Sequence, residues 1–246
     1  KKIWKRILQE IKDYDLIFFK KQPEYIEKIQ NPFAIHLKNV FQSKVYQIYL
    51  NGDMEYYLRS ITNKKFLSEF KRTEKKLFSD FEVKFEHFTK SQNSLKPSDL
   101  IKQKKLILEE KKIKHFLDEN FMNLHDKIYK KLEENYLISV LKINGIKVAA
   151  NLGFINNDRL YYFMPIIYST KFNSYSPGKV LIYELIKLAH KKKLKFFDFG
   201  YGEENYKRYW SNSSESLFYY IQPNSLKGIF FIIFFNFYIK LKRFID

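Results

Sequence analysis

The sequence predicts an α/β protein with a mixed, mostly antiparallel sheet flanked by helices. Three observations carry that reading. Two apolar runs flank Asn144-Gly145, the dipeptide that two-residue hairpin turns favour. A third apolar run follows a second turn at Asn156–Arg159. Around them, over residues 98–225, the pattern orders as helix, helix, three meandering strands, helix, strand, helix, strand. This order is neither a Rossmann fold nor a simple doubly wound sheet.

Asp15–Pro23 reads as a strand closed by a turn, and Ser43–Leu50 as a second, alternating strand. From Met54 to Leu77 the pattern turns helical. Phe66, Phe70 and Leu77 share one face, while Lys64, Lys71 and Lys75, joined by Lys65, Arg72 and Lys76, make another basic. Phe81–Phe88 alternates as a strand, and the polar stretch Thr89–Asp99 marks a boundary. Helices are expected near Leu100–Lys114 and Lys114–Leu132. The meander occupies Asn135–Ile143, Ile146–Ile155 and Leu160–Ser169. A helix from Pro177 to about Lys193, a strand at Leu194–Phe199, a short helix and a strand at Ser216–Gln222 complete the pattern.

Bulk composition narrows the function classes. The chain has 246 residues, 45% apolar and 19% aromatic, enough for a large core and unlike a disordered chain. It has no cysteine, which excludes disulfides and thiolate metal sites. The histidines, His36, His87, His115, His125 and His190, fall in no metal-ligand spacing, so no metal is expected. The net charge is +18. Of the 45 basic residues six are arginine, which leaves 39 lysines. Base-reading surfaces favour arginine, so no specific nucleic-acid partner is expected. The chain opens without methionine or a signal-peptide pattern, as a fragment or processed chain would.

Two stretches carry chemistry. In Ser176-Pro177-Gly178-Lys179-Val180, Ser176 is a good helix N-cap and Pro177 suits the first helical position. Gly178 and Lys179 would present backbone N–H groups and a mobile cation at a helix N-terminus, a setting suited to phosphate. An ordinary capped helix reads the same way. In Phe196–Trp210, Asp198 ends a strand, Gly200 and Gly202 permit a tight turn, and Tyr206 and Lys207 follow on a short helix. Phenols serve as general acids, and a lysine can hold phosphate or carboxylate. The blander alternative makes Tyr206 and Trp210, four apart, core packing, and has Asp198 pair with Lys207 or cap the helix. His125 is a weaker candidate base.

Together these stretches resemble the GNAT-type acetyltransferase domain of CelD (cellulose and exopolysaccharide biosynthesis) proteins, related to FemAB-like transferases. The matching positions are Gly145, Ser176, Pro177, Gly178, Asp198, Gly202, Tyr206, Lys207 and Trp210. The stretch from Ser60 to Phe78 is similar to the family's basic helix, and His125 to its Leu-His segment. The resemblance implies a GNAT fold in two halves: an incomplete N-terminal half over 1–97 and an acyltransferase domain over 98–225. It implies acyl transfer from acetyl-CoA or another acyl-CoA to an amine or hydroxyl of a sugar or cell-envelope intermediate in a bacterium. Ser176, Gly178, Lys179 and Val180 would hold the donor, and Asp198, Tyr206 and Lys207 would line the acceptor side. FemAB-like relatives use aminoacyl-tRNA instead, and a non-catalytic, membrane-docked scaffold of a polysaccharide synthase is a third reading.

The segment 226–246 contains Gly228–Ile239, almost wholly apolar and followed by Lys240, Lys242 and Arg243. About a dozen apolar residues do not span a bilayer, which needs roughly 20. The stretch therefore reads either as a helix lying in a membrane interface or as a core or docking helix. A cytoplasmic protein is expected, with peripheral contact at the inner face of the membrane under the first reading.

Overall fold

The computed structural model describes residues 2–11, 13–26, 29–61, 63–88 and 95–245. In chain order the elements are α1 (Lys2–Glu10), β1 (Leu16–Pro23), β2 (Tyr25–Ile26), β3 (Ile29–Gln30), α2 (Pro32–His36), β4 (Lys38–Tyr49), α3 (Met54–Ser60), α4 (Lys64–Asp80) and β5 (Val83–Phe88). Then follow α5 (Pro97–Glu110), α6 (Glu119–Lys131), β6 (Tyr136–Ile143), β7 (Ile146–Asn156) and β8 (Arg159–Ile167). The chain closes with α7 (Pro177–Lys191), β9 (Phe196–Tyr201), α8 (Asn205–Trp210), β10 (Ser213–Pro223) and α9 (Leu226–Ile245). Residues 89–94 of the polar boundary stretch lie outside the described residues.

The strands build a mixed, mostly antiparallel sheet of eight strands flanked by helices. The chain divides into two compact units, Lys1–Val45 with Glu215–Asp246, and Tyr46–Ser214. In the larger unit the strand order is β4-β9-β8-β7-β6-β5. The Asn144-Gly145 turn between β6 and β7 takes positive φ at both residues, 48° and 78°, as a type I′ hairpin requires. β6 is buried along nearly its whole length because apolar layers cover both of its faces. One layer gathers Leu137, Leu141 and Ala149 with Phe70, Leu77, Leu181 and Leu185 from α4 and α7. The other gathers Ile138, Val140 and Leu152 with Leu100 and Ile101 from α5.

The basic helical stretch resolves into α3 and α4, and the predicted face of α4, Phe66, Phe70 and Leu77, is buried. The Asn63 side chain accepts from the Phe66 N–H and starts that helix. α5 ends at Glu110, short of the expected Lys114, because Lys112 takes a left-handed φ of 55°. α6 starts only at Glu119, where Asp118 accepts from the Phe121 N–H. Ser176 departs from the expectation too. It precedes α7 but has φ 50°, and its side chain makes no cap hydrogen bond. Its carbonyl, accepting from the Lys179 and Val180 N–H groups, closes the first turn instead.

In the smaller unit β10 lies between β1 and β4. β1 and β10 pair antiparallel, with Leu16 opposite Pro223 and Phe19 opposite Tyr220.

Candidate active site

The strands β8 and β9 run parallel but pair over only three residues, Arg159–Phe196, Leu160–Phe197 and Tyr161–Asp198. Both strands continue, β8 to Ile167 and β9 to Tyr201. Pairing therefore stops while the strands go on, which leaves an opening at their C-terminal ends. On the other edge of β8 the register with β7 shifts between Leu152 and Phe154. Two steps on β7 there span three on β8, from Tyr161 to Met164, the signature of a bulge. Gly153 sits opposite it, where a side chain would stand 2.7 Å from the Tyr161 carbonyl. Bulge and opening thus coincide at Tyr161 and Tyr162.

Two phenols stand at this place. Tyr162 is buried in the core layer that α7 covers, and Tyr206 of α8 packs against the same layer beside Phe199. Burial, with the other phenol's charge as a smaller cause, raises Tyr162 well above the ordinary phenol range. Burial, with the Glu204 carboxylate second, raises Tyr206 likewise. Both are neutral phenols at physiological pH, so both are hydrogen-bond donors rather than bases.

The start of α7 closes the end of β8. A side chain at Gly178 would meet the Ile167 side chain at 3.1 Å, so this glycine permits the helix to approach the strand end. The Lys179 ammonium lies 5.4 Å from the centre of the Phe66 ring, which in turn contacts Tyr209 and Trp210 of α8. Glu69, Phe70, Arg72 and Thr73 of α4, with Ser176 and Lys179, line a cavity of about 130 Å3. The site therefore draws in α4. Tyr175 donates to Asp80 at 2.8 Å, Lys76 lies over the Tyr175 ring, and Lys71 is bonded to Tyr183 and Glu74. The Lys179 amide is engaged by the Ser176 carbonyl, so the Lys179 side chain and Arg72 are the cationic groups lining the cavity. Val180 is fully buried and packs in the core.

Asp198 and Lys207 shape the turn between β9 and α8. Asp198, only 9% exposed, receives the Arg159 guanidinium at 2.8 Å and the Gly200 N–H at 2.7 Å. Its partner is thus Arg159, not Lys207, and the bond to Gly200 holds that residue at φ 69°. Arg159 also donates to Gln47 and stands over the Phe196 ring, 4.3 Å from its centre. Lys207, 4% exposed, donates to the Tyr201 carbonyl at 2.7 Å and pairs with Glu204 at 2.8 Å. Gly202, at φ 119°, runs between these groups, where a side chain would collide with Glu204. Trp210 is fully buried against Phe66 and Phe70, and its carbonyl accepts from the Tyr57 hydroxyl.

His125 stands apart from this set. It is the buried residue of α6, 3.0 Å from the Tyr136 hydroxyl and against Phe121 and Phe163. Burial lowers its pKa against a small opposing effect of Asp126, so it is neutral near pH 7. Burial pushes Tyr136 up to about 12. The structure thus brings Ser176 and Lys179 together at one cavity, sets Gly178 against Ile167 at the end of β8, and gathers Asp198, Tyr206 and Lys207 around one turn. Tyr162 and Arg72 escaped the sequence reading. Tyr162 lies inside a plain apolar run, and Arg72 is one cation among many on α4. A larger cavity of about 480 Å3 between α5 and α6 shares no residue with either group. No group of side chains suited to a metal ion occurs among the described residues.

A family model for the acetyltransferase (GNAT) domain matches residues 64–208, more than half of the chain. The chain belongs to the GNAT acetyltransferase family. That assignment agrees with the strand order and with the parallel pair that opens beside a helix start. No curated protein matches the sequence. Among solved structures, L-PGS from Bacillus licheniformis is similar over 94% of this chain and 74% of its own, at 13% identity and a TM-score of 0.59. A structure of FemX is similar over 87% and 74%, at 11% identity and a TM-score of 0.57. At such identities the likeness is one of fold.

Proposed function

We propose that this GNAT protein transfers an acyl group, acetyl in the first instance, from acyl-CoA to an amine or hydroxyl of a sugar or cell-envelope intermediate. The observation that carries the proposal is the opening of β8 from β9, with a cationic cavity at the α7 start and two neutral phenols at the bulge. Lys179 and Arg72 hold the donor's phosphates, and Gly178 admits them close to the strand end. The thioester lies along the unpaired edge of β8. The acceptor nitrogen or oxygen attacks the thioester carbon directly. A C–N or C–O bond forms, the C–S bond breaks, and the acceptor's proton leaves to solvent. Tyr206 donates a hydrogen bond to the departing sulfur, and Tyr162 supports it from β8. Asp198 and Lys207 position the turn that carries Tyr206. His125, buried on α6 against Tyr136, has no place in this scheme. The acceptor class rests on the resemblance to CelD-type domains.

The test is a calorimetric titration with acetyl-CoA, followed by a screen of amino sugars and nucleotide sugars as acceptors. Saturable binding is expected, weakened roughly tenfold in Lys179→Ala, the loss of one charged hydrogen bond. The fold likeness to FemX favours a second reading, in which the donor is an aminoacyl-tRNA as in FemAB-like transferases. Thermal stabilisation by charged tRNA, with none by acetyl-CoA, would decide for it. Absence of both responses would overturn the two readings together.

A further inference from the structure

We propose that the outward face of α9 docks on the surface of an anionic phospholipid bilayer. A helix on a water-facing surface normally carries one apolar stripe and one polar face. α9 is apolar on both sides. Its inner side packs within the smaller unit. Gly228 lies so close to the Asp15 carbonyl that no side chain fits there. Phe231 and Phe235 meet the Phe18 ring at 6.0 and 5.1 Å, and Phe235 also meets Tyr219 at 5.0 Å.

The opposite side carries Ile229, Phe230, Ile233, Phe234, Phe237 and Tyr238, all exposed. Phe234 is 70% exposed. These positions recur at i, i+1, i+4 and i+5, so they form one continuous stripe with no polar residue in it. An exposed apolar stripe of this kind marks an interaction surface. The inner side is already seated on protein, and no helix among the described residues is long and apolar enough to cross a membrane. A helix with this face lies along a bilayer rather than through it.

Charge selects the occupant. The chain carries a net +18. Lys227 stands at the start of the stripe, and Lys240, Lys242 and Arg243 follow it in sequence. A second copy brings the same positive charge to the contact and is repelled, whereas an anionic headgroup layer attracts it. Tyr238 adds an exposed phenol to the stripe, the amphipathic side chain that interfaces favour.

Flotation with vesicles tests this. The full chain is expected to float with vesicles of equal parts phosphatidylglycerol and phosphatidylcholine, much less with phosphatidylcholine alone, and less as salt rises. Phe230→Glu combined with Phe234→Glu should abolish flotation without changing the melting temperature, because both side chains are exposed. In Phe234→Trp, tryptophan emission should shift to the blue on adding the anionic vesicles, beyond any shift of the unmodified chain. The proposal fails if the chain does not float, if the double glutamate variant floats equally well, or if the Phe234→Trp variant shows no added shift. It fails too if the stripe instead mediates a dimer that the glutamates dissociate, which would make a second copy the occupant.

Discussion

Lys207 carries its charge into a nearly closed environment, and two acceptors make that tolerable. The Tyr201 carbonyl accepts a hydrogen bond from its ammonium and the Glu204 carboxylate pairs with it, so the lysine ties the strand end to the first turn of α8. Because Glu204 is more than half exposed, water screens the pair, and the hydrogen bond to the carbonyl is the larger part. Lys207→Ala should cost about 1–3 kcal/mol in denaturant unfolding, the range for removing one partner of a buried polar contact. The displaced turn should also lower kcat while leaving the affinity for acetyl-CoA close to its original value. Tyr206 makes the complementary case. Tyr206→Phe removes one hydroxyl from a packed ring and should barely change stability. Steady-state kinetics should nevertheless show kcat reduced by roughly a hundredfold, the lower end of what a positioned proton donor contributes. An unchanged kcat would place the leaving-group donor elsewhere. At this scale the residue types were legible, and their partners were not. Asp198, Tyr206 and Lys207 stand out by chemistry, but nothing near Asp198 in the chain announces Arg159, thirty-nine positions away.

The decisive element is the stretch where β8 bulges against β7 and parts from β9. Gly153 makes the bulge possible: a side chain there would sit 2.7 Å from the Tyr161 backbone carbonyl, and 2.8 Å from the Asn151 side-chain nitrogen. Backbone cannot yield as a flexible side chain would. Gly153→Ala should therefore destabilise the protein by about 1–3 kcal/mol, the cost of overpacking a tight core. Calorimetry should show weaker acetyl-CoA binding as well, since the strand edge moves. Equal binding in a destabilised variant would detach the bulge from the donor site. The α7 start shows a similar division. Pro177 and the apolar spacing of the helix were readable from sequence, whereas the left-handed Ser176 follows from how the preceding loop, tied to α4 through Tyr175 and Asp80, enters the helix. α4 also illustrates how charge misleads. Its cations read from sequence as one basic face, yet Lys71 is bonded to Tyr183 of α7 and Arg72 lines the cavity.

For the whole molecule, protonation links the core to pH. Burial lowers the pKa of His125 and His190 from the ordinary 6.5, against smaller opposing effects of Asp126 and Asp53. The folded state therefore binds fewer protons than the unfolded chain once pH falls through that value. Stability should be flat above about pH 7 and decline as pH falls below 6.5, levelling only beneath the folded-state values. Chemical denaturation across this range checks the sign, and His125→Gln should flatten part of the slope. A stability that rises on acidification would contradict the burial of these imidazoles.

The sequence by itself determined the order of helices and strands over residues 98–225, the type I′ turn at Asn144-Gly145 and the buried face of α4, because each depends on neighbours within a turn or two of chain. It also carried the apolar character of α9, which composition alone makes plain. Only the tertiary structure decided that Asp198 meets Arg159, that Tyr162 and Tyr206 both pack on Phe199, and that pairing between β8 and β9 ends at Tyr161. Those contacts join residues dozens of positions apart. Their energies belong to the packed core and to strand register, which local propensity does not encode.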